Sequence, residues 1–107
     1  SKECALAKRY IDSNYSQNIT LDSLAEITHI NKFYLAHSFT ECVGQSPINY
    51  LTDRRLEACK GLLVSSNLSV AQVATSVGFS SQSYFSQIFR KKTGMTPRQY
   101  RSRYARK

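Results

Sequence analysis

Acidic side chains are absent from the last 50 residues of this chain. Residues 58–107 contain nine lysines and arginines and no aspartate or glutamate, whereas residues 1–57 contain six basic and seven acidic residues. The formal net charge of +8 therefore comes entirely from the C-terminal half. So uneven a surplus favours an anionic partner, such as nucleic acid or a lipid surface, over a merely solvated face.

Long apolar runs, glycine and proline are also scarce. No uninterrupted hydrophobic stretch approaches the roughly 18 residues of a membrane span, and residues 1–10 lack the pattern of a signal peptide. We therefore expect a soluble, cytoplasmic chain. Only four glycines and two prolines interrupt apolar residues that recur every three or four positions, which predicts an all-α fold.

Cysteine is present but sparse. Cys4, Cys42 and Cys59 are too widely spaced for a zinc site or a secreted disulfide scaffold, so a reducing cytosol is the simplest compartment. We expect Cys42 and Cys59 to be small core residues. Neither the cysteines nor His29 and His37 form a metal cluster or a nucleophile with its base. The sequence therefore predicts no enzymatic activity, no metal and no cofactor.

Seven helices are predicted from the apolar spacing and from residues that favour helix ends. Glycine or a polar run closes several of them, and a long fourth helix is expected to begin with the pair Ser46-Pro47. The expected positions are 3–15, a short helix after the cap Thr20, 32–43, 47–65, a short helix after the capping box Ser69–Gln72, one within 80–94, and a basic helix after Thr96.

An internal repeat organises these helices. The pattern F-x4-G-x-[ST]-P-x2-Y begins at Phe39 and returns 50 residues later at Phe89. Leu24-Ala25 aligns with Val73-Ala74 at an offset of 49, so the second copy has one extra residue in its turn. Each copy consists of a short helix, a tight turn and a longer helix, which is the order of a helix-turn-helix.

The repeat divides the chain into a first helix-turn-helix subdomain (1–45), a linker helix (46–66) and a second subdomain (67–107). A helix of about 20 residues, at ~1.5 Å per residue, separates the two longer helices by roughly 30 Å. That distance is close to the ~34 Å of one DNA turn, the separation at which paired helix-turn-helix units usually bind.

The longer helix of the second copy has a surface suited to DNA. Gln82, Ser86 and Gln87 lie off its apolar stripe, and glutamine pairs bidentately with adenine while serine serves either hydrogen-bonding polarity. Three cations, Arg90, Lys91 and Lys92, follow and are suited to phosphates. Ordinary exposed helices favour Glu and Lys over such a cluster, so we interpret the stretch as a DNA-reading surface.

The second copy also contains the pattern V-A-x2-V-G-F-x3-S-Y-F-x3-F-R-K-x2-G-x-T-P-x2-Y-R between Val73 and Arg101. This pattern resembles the signature of the AraC/XylS family of bacterial transcription regulators, and the weaker first copy extends the resemblance over essentially the whole chain. The resemblance implies seven helices, with two helix-turn-helix units joined by a long helix. It also implies that the third and sixth helices are presented to DNA.

The resemblance assigns roles by position. Phe33 and Ala36 are suited to thymine methyls but make no bidentate hydrogen bonds. His37 is interpreted as contacting a base or a phosphate, with a surface histidine of no role as a close competitor. The implied base-reading residues are Phe33, Ala36, His37, Ser81, Gln82, Ser83, Ser86 and Gln87, and the implied phosphate contacts are Asn31, Lys32, Arg90, Lys91 and Lys92.

Two positions depart from the expected pattern. His29 stands in the first turn where the second copy has Gly78, and a positive φ is less comfortable for His than for Gly. Gly61 lies inside the long helix, where glycine costs up to ~1 kcal/mol relative to alanine.

The leading hypothesis is sequence-specific binding of double-stranded DNA by the DNA-binding part of a bacterial regulator. We favour an excised C-terminal domain, with a sensing or dimerisation domain outside this chain, over a natural stand-alone protein. The acidic half is a candidate contact for RNA polymerase or for the sensor domain. A membrane-surface module is the remaining alternative, supported by the basic residues and tyrosines of the last helix: Arg98, Tyr100, Arg101, Arg103, Tyr104, Arg106 and Lys107.

Overall fold

The structure is a computed structural model that describes residues 1–105, and these form seven α-helices and no strand. The all-α prediction is confirmed. The predicted helix bounds agree with the observed ones to within a few residues, because the sequence signals for starts and stops are local. The helices are α1 (Lys2–Asn14), α2 (Leu21–Thr28), α3 (Lys32–Val43), α4 (Pro47–Ser65), α5 (Val70–Ser76), α6 (Gln82–Thr93) and α7 (Pro97–Tyr104).

Side-chain caps fix where the short helices begin. Thr20, Ser69 and Thr96 each accept a hydrogen bond from the backbone amide three residues on, and the side chain at that later position accepts one from the backbone amide of the cap. The predicted start of α4 is also confirmed, since the Asn49 amide donates to Ser46 Oγ at 3.1 Å. These bonds satisfy amides that a helix leaves unpaired in its first turn.

The chain divides into two compact units, Ser1–Arg54 and Arg55–Lys107, with the boundary inside α4. The first unit contains α1, α2, α3 and the beginning of α4. Its core is one cluster to which each of these helices contributes, and Leu24, Leu35 and Phe39 are fully buried in it. The other buried members of this cluster are Cys4, Ala7, Ile11, Ile19 and Leu51.

The second unit contains the remainder of α4 together with α5, α6 and α7. Aromatic rings dominate its interior: Phe85 lies 5.2 Å from Phe79 and 5.6 Å from Phe89, measured between ring centroids. Phe89 also packs edge-on against Tyr100 at 5.5 Å. Such tilted and edge contacts are the favoured geometries for aromatic pairs. Cys59 is fully buried in this unit, as predicted, and burial raises the pKa of its thiol to about 12.

The repeat in the sequence corresponds to a repeat in the structure. Residues 33–50 and 83–100 have the same order of buried, half-buried and exposed positions at every step. Both α3 and α6 have twelve residues, and both end at a glycine with positive φ, Gly44 and Gly94. The two copies are therefore one folding unit used twice, and side chains at an offset of 50 are comparable.

The turns between the short and long helices follow the prediction. His29 has φ 59° and ψ 32°, the left-handed conformation, and Gly78 has φ 106°. In both turns the amide of the next residue bonds back to the helix, from Ile30 to Ala25 and from Phe79 to Ala74. His29 is the only non-glycine residue with positive φ among the described residues, and the left-handed region costs such a residue roughly 1–2 kcal/mol.

One core prediction is wrong. Cys42 is exposed, because Phe39 fills the inward face of α3 and Cys42 lies one turn further on, beside it. Its counterpart in the second copy is Lys92, also exposed, so the repeat itself indicates an outward position. Ile48 is 42% exposed, because it follows Pro47 in the first turn of α4, where Pro47 takes the buried position.

Candidate nucleic-acid interface

Helix α6 separates a buried aromatic face from an exposed polar one. Phe85 and Phe89 have no exposed surface and fix the rotation of the helix in the second unit. That rotation leaves Gln82, Ser83 and Gln87 exposed, while Ser86 is half-buried between them. The predicted base-reading side chains of α6 therefore share the side of the helix that faces away from the core.

Positive charge is concentrated at the C-terminal end of α6. Arg90, Lys91 and Lys92 occupy its last turn and are all exposed. Cations in a last turn are stabilised by the negative end of the helix dipole, so this arrangement suits the helix as well as a phosphate ligand. Hydrogen-bonding groups come first along α6 and charge comes second, as the sequence predicted.

The corresponding end of α3 has a different chemical character. Thr40, Glu41 and Cys42 stand at the positions of Arg90, Lys91 and Lys92, and the last turn of α3 contains no basic residue. Helices α3 and α6 thus have the same pattern of burial but opposite character at their C-terminal ends. Only α6 has the cations that would hold a phosphate there.

Two of the predicted contact residues in α3 are paired with carboxylates. Lys32 Nζ lies 3.1 Å from Asp22 Oδ1 on α2, and His37 Nε2 lies 3.0 Å from Glu41 Oε1. All four side chains are substantially exposed, and exposed pairs of this kind contribute only about 0–1 kcal/mol. The pairs are weak enough to exchange for a DNA partner, but each exchange gives up a favourable contact.

Two other predicted contact residues are helix caps. Asn31 Oδ1 accepts hydrogen bonds from the amides of Phe33 and Tyr34 at 2.8 and 3.3 Å. Ser81 Oγ accepts from the amide of Tyr84 at 3.2 Å. Capping uses the side-chain oxygen, so the groups left for a ligand are the Asn31 amide nitrogen and the Ser81 hydroxyl hydrogen. Both remain donors, which is the polarity that a phosphate requires.

Exposed aromatic side chains are the part of this surface that the sequence interpretation missed. Phe33, which is 72% exposed, was predicted to contact DNA. Tyr34 and Tyr84 are 61% and 51% exposed, and the sequence analysis assigned them no contact. The signal was available, since the two tyrosines occupy the same position in the two copies. Elsewhere in the second unit, the Arg55 guanidinium lies 5.8 Å from the centroid of the Phe79 ring, and burial lowers the pKa of Arg55.

The last helix is held by contacts within its own unit. Arg101 Nε donates to the Leu63 carbonyl oxygen at 2.9 Å, at the C-terminal end of α4, where carbonyls lack helical partners. Tyr104 packs on Tyr100 at 4.7 Å. These contacts occupy residues on which the membrane-surface alternative depended. Arg106 and Lys107, also part of that alternative, lie outside the described residues.

No group of three or more histidine, cysteine, aspartate or glutamate side chains is placed to hold a metal ion within residues 1–105. None of the helices described combines the length and the apolar character needed to cross a bilayer.

Comparison with known proteins agrees with the geometry. A family described as "Helix-turn-helix domain" matches residues 24–103. The chain is 34% identical over 96 residues to the bifunctional transcriptional activator/DNA repair enzyme AdaA of Bacillus subtilis, and 40% identical over 93 residues to the HTH-type transcriptional regulator YobQ of the same organism. It covers 46% and 39% of these two relatives, so it spans less than half of their length.

Solved structures share the whole fold. The C-terminal domain of AraT, a response regulator from Geobacillus stearothermophilus, superposes with a TM-score of 0.96 at 35% identity and covers 100% of this chain and 89% of that one. The DNA-binding domain of AdpA, a global transcriptional factor solved in complex with a target DNA, gives 0.92 at 25% identity, covering 97% and 94%.

Two helix-turn-helix units, with a polar and basic face on the second, define a DNA-binding domain of a transcription regulator. The seven-helix arrangement, together with the relatives that share it, narrows this class to one family. The chain belongs to the AraC family of transcription regulators.

Proposed function

We propose that this domain binds a specific duplex site by placing α3 and α6 in successive major grooves, and that α6 supplies most of the sequence reading and of the charge. The observation that carries the proposal is the exposed face of α6, where Gln82, Ser83 and Gln87 precede a cationic last turn. Hydrogen-bonding side chains meet base edges in the groove, and cations meet the phosphates beside it.

The roles proposed for α6 follow from side-chain chemistry. Gln82 and Gln87 suit adenine, because the glutamine amide nitrogen donates to adenine N7 while the amide oxygen accepts from the N6 amino group. Ser83 and Ser86 are short and contact bases only where the helix backbone approaches the groove closely, and Ser83 is the more exposed of the two. The Ser81 hydroxyl donates while its oxygen remains the cap. Phosphate contacts are assigned to Arg90, Lys91 and Lys92.

The side chains of α3 can make fewer hydrogen bonds to base edges than those of α6. Phe33 and Ala36 contact thymine methyls, and His37 contacts a base or a phosphate after leaving Glu41. Asn31 donates to a phosphate through its amide nitrogen while its oxygen caps the helix. Lys32 exchanges Asp22 for a phosphate. On this assignment α3 recognises shape and methyl groups, whereas α6 reads hydrogen bonds.

The wider setting is proposed from the family and from charge. A sensing or dimerisation domain outside this chain would supply the signal, and the acidic first half is the candidate surface for that domain or for RNA polymerase. We assign the domain to the bacterial cytoplasm and give it no catalytic role, cofactor or metal.

Selection of bound duplexes from a random pool tests the proposal. We expect enrichment of two short motifs about one helical turn apart, the better defined of them belonging to α6. Enrichment of a single motif would limit α3 to backbone contact. If the bound duplexes share no motif and their affinities depend only on salt concentration, the proposal of sequence-specific binding is refuted.

A further inference from the structure

Cys42 lies at the exposed end of α3, against the first turn of α1. The backbone nitrogen of Ser1, the residue that caps α1, is 3.9 Å from Cys42 Sγ. The same turn contains Cys4, whose amide donates to Ser1 Oγ at 3.2 Å. Ser1 therefore contacts both cysteines, and the Cys42 thiol is close enough to the Cys4 thiol to affect its pKa. Two cysteines far apart in sequence are thus neighbours in the first unit.

The two thiols differ in access. Cys42 is exposed, whereas only 4% of the Cys4 surface is exposed, within the core cluster of the first unit. Burial and the neighbouring Cys42 thiol raise the pKa of the Cys4 thiol, so Cys4 stays protonated and protected from solvent. An exposed thiol beside a second, sheltered cysteine is the arrangement of a thiol that oxidises and a partner that resolves it.

Packing alone does not explain why a cysteine occupies position 42. It is outside the core, and the equivalent position in the second copy holds Lys92, a residue of different size and charge. Cys59 provides the contrast within the same chain, because it is fully buried in the second unit.

We propose that Cys4 and Cys42 form a reversible oxidation site, at which a peroxide converts the two thiols into a disulfide that joins α1 to α3. The Cys42 thiolate attacks a peroxide oxygen, the O–O bond breaks, and a sulfenic acid and hydroxide (for hydrogen peroxide) are formed. The Cys4 sulfur then attacks the Cys42 sulfur, forming the S–S bond and releasing water as the Cys4 proton leaves with the hydroxyl group. A dithiol reductant returns two electrons and two protons and restores both thiols.

Peptide mapping of the peroxide-treated chain tests the site. Trypsin cleaves after lysine and arginine, which places Cys4 in peptide 3–8, Cys42 in peptide 33–54 and Cys59 in peptide 56–60. After brief treatment with hydrogen peroxide, we expect a species in which peptides 3–8 and 33–54 are linked with the loss of two hydrogens, and which dithiothreitol separates. Peptide 56–60 should keep its free thiol and serves as the internal control.

The variant Cys42→Ser separates the proposal from general oxidation. Because Cys42 is exposed, serine is not expected to disturb folding, and the linked species should be lost. In the unmodified chain the disulfide should raise the denaturation midpoint by constraining the unfolded state, reversibly with dithiothreitol, and this shift should be absent from the variant. Oxidation of Cys42 that leaves Cys4 free, or links that form mainly between chains, would overturn the proposal.

Discussion

The Tyr50 hydroxyl donates a hydrogen bond of 2.6 Å to Asp12 Oδ1, and Arg54 Nε donates to the same oxygen at 3.0 Å. This network joins α1 to α4 within the first unit. The Tyr50 ring also packs edge-on against Phe39 at 5.7 Å, as Tyr100 does against Phe89 at 5.5 Å in the second copy. The repeat therefore preserves the aromatic pair, while the hydrogen bond to a carboxylate belongs to the first unit.

Replacing Tyr50 by phenylalanine removes the hydroxyl and keeps the ring. We expect Tyr50→Phe to lower the free energy of unfolding by about 1–3 kcal/mol, since a hydrogen bond to a charged group is lost. Tyr100→Phe is the matched control, because its hydroxyl has no hydrogen-bond partner among residues 1–105, and it should change stability by less than about 0.5 kcal/mol. Equal effects of the two changes in urea denaturation would show that the Asp12 contact contributes nothing.

The same network makes stability depend on alkaline pH. Burial, followed by the hydrogen bond with Asp12, raises the pKa of Tyr50 from 10.0 to about 12. Because the folded pKa lies above the unfolded value, the stabilisation is fully present below pH 10 and is lost as pH rises through 12. The difference in unfolding free energy between wild type and Tyr50→Phe should therefore narrow across this window. A difference that stays constant in denaturation series across the window would contradict the assigned shift.

Two glycines allow a controlled test of backbone conformation. A Cβ added at Gly61 or at Gly94 would meet no atom within 4 Å, but Gly94 has φ +82° while Gly61 lies inside α4. Gly61→Ala should stabilise the domain by about 0.5–1 kcal/mol, because alanine loses less backbone entropy in a helix. Gly94→Ala should destabilise it by roughly 1–2 kcal/mol, since φ is left-handed there. Thermal unfolding of both variants would show shifts of opposite sign, and shifts of the same sign would refute this reasoning.

Most of the fold follows from local sequence signals. Helix ends such as Thr20 and Ser69 are specified by residues within four positions of each other, so the sequence alone locates them. The positive φ of His29 was likewise predicted by its alignment with Gly78. What failed was the position of Cys42 near the end of α3, because a short apolar pattern does not tell which side of the last turn meets the core.

The site was predicted less completely than the fold. The exposed positions of Gln82, Gln87 and the cationic turn of α6 follow from periodicity around Phe85 and Phe89. The pair between Lys32 and Asp22 does not, because it joins different helices and depends on how α2 packs against α3. Contacts between elements require the tertiary arrangement, whereas the surface of one helix does not.

Base reading and phosphate binding by α6 make distinguishable predictions. Gln87→Ala should cost about 1–3 kcal/mol at the preferred site and relax the preference at one base pair. Lys91→Ala should weaken binding to all duplexes and lower the slope of log affinity against log salt by about 1. Binding isotherms at several salt concentrations, with the selected site and a scrambled one, separate the two effects. If Gln87→Ala weakened both duplexes equally, its role in reading bases would be lost.

A substitution at the acidic end of α3 should strengthen DNA binding, whereas the two substitutions in α6 should weaken it. Glu41 occupies the position of Lys91 and pairs with His37, so Glu41→Lys both removes a carboxylate and places a cation where α6 has one. If α3 lies in a groove, this variant should bind all duplexes more tightly and steepen the salt slope by about 1. Glu57→Lys is the matched control, since the Glu57 side chain is 62% exposed and that of Glu41 is 68% exposed, and Glu57 lies on α4. The control changes net charge equally but not the end of α3. Equal gains for the two variants would mean that affinity follows overall charge and that the end of α3 does not approach the phosphates.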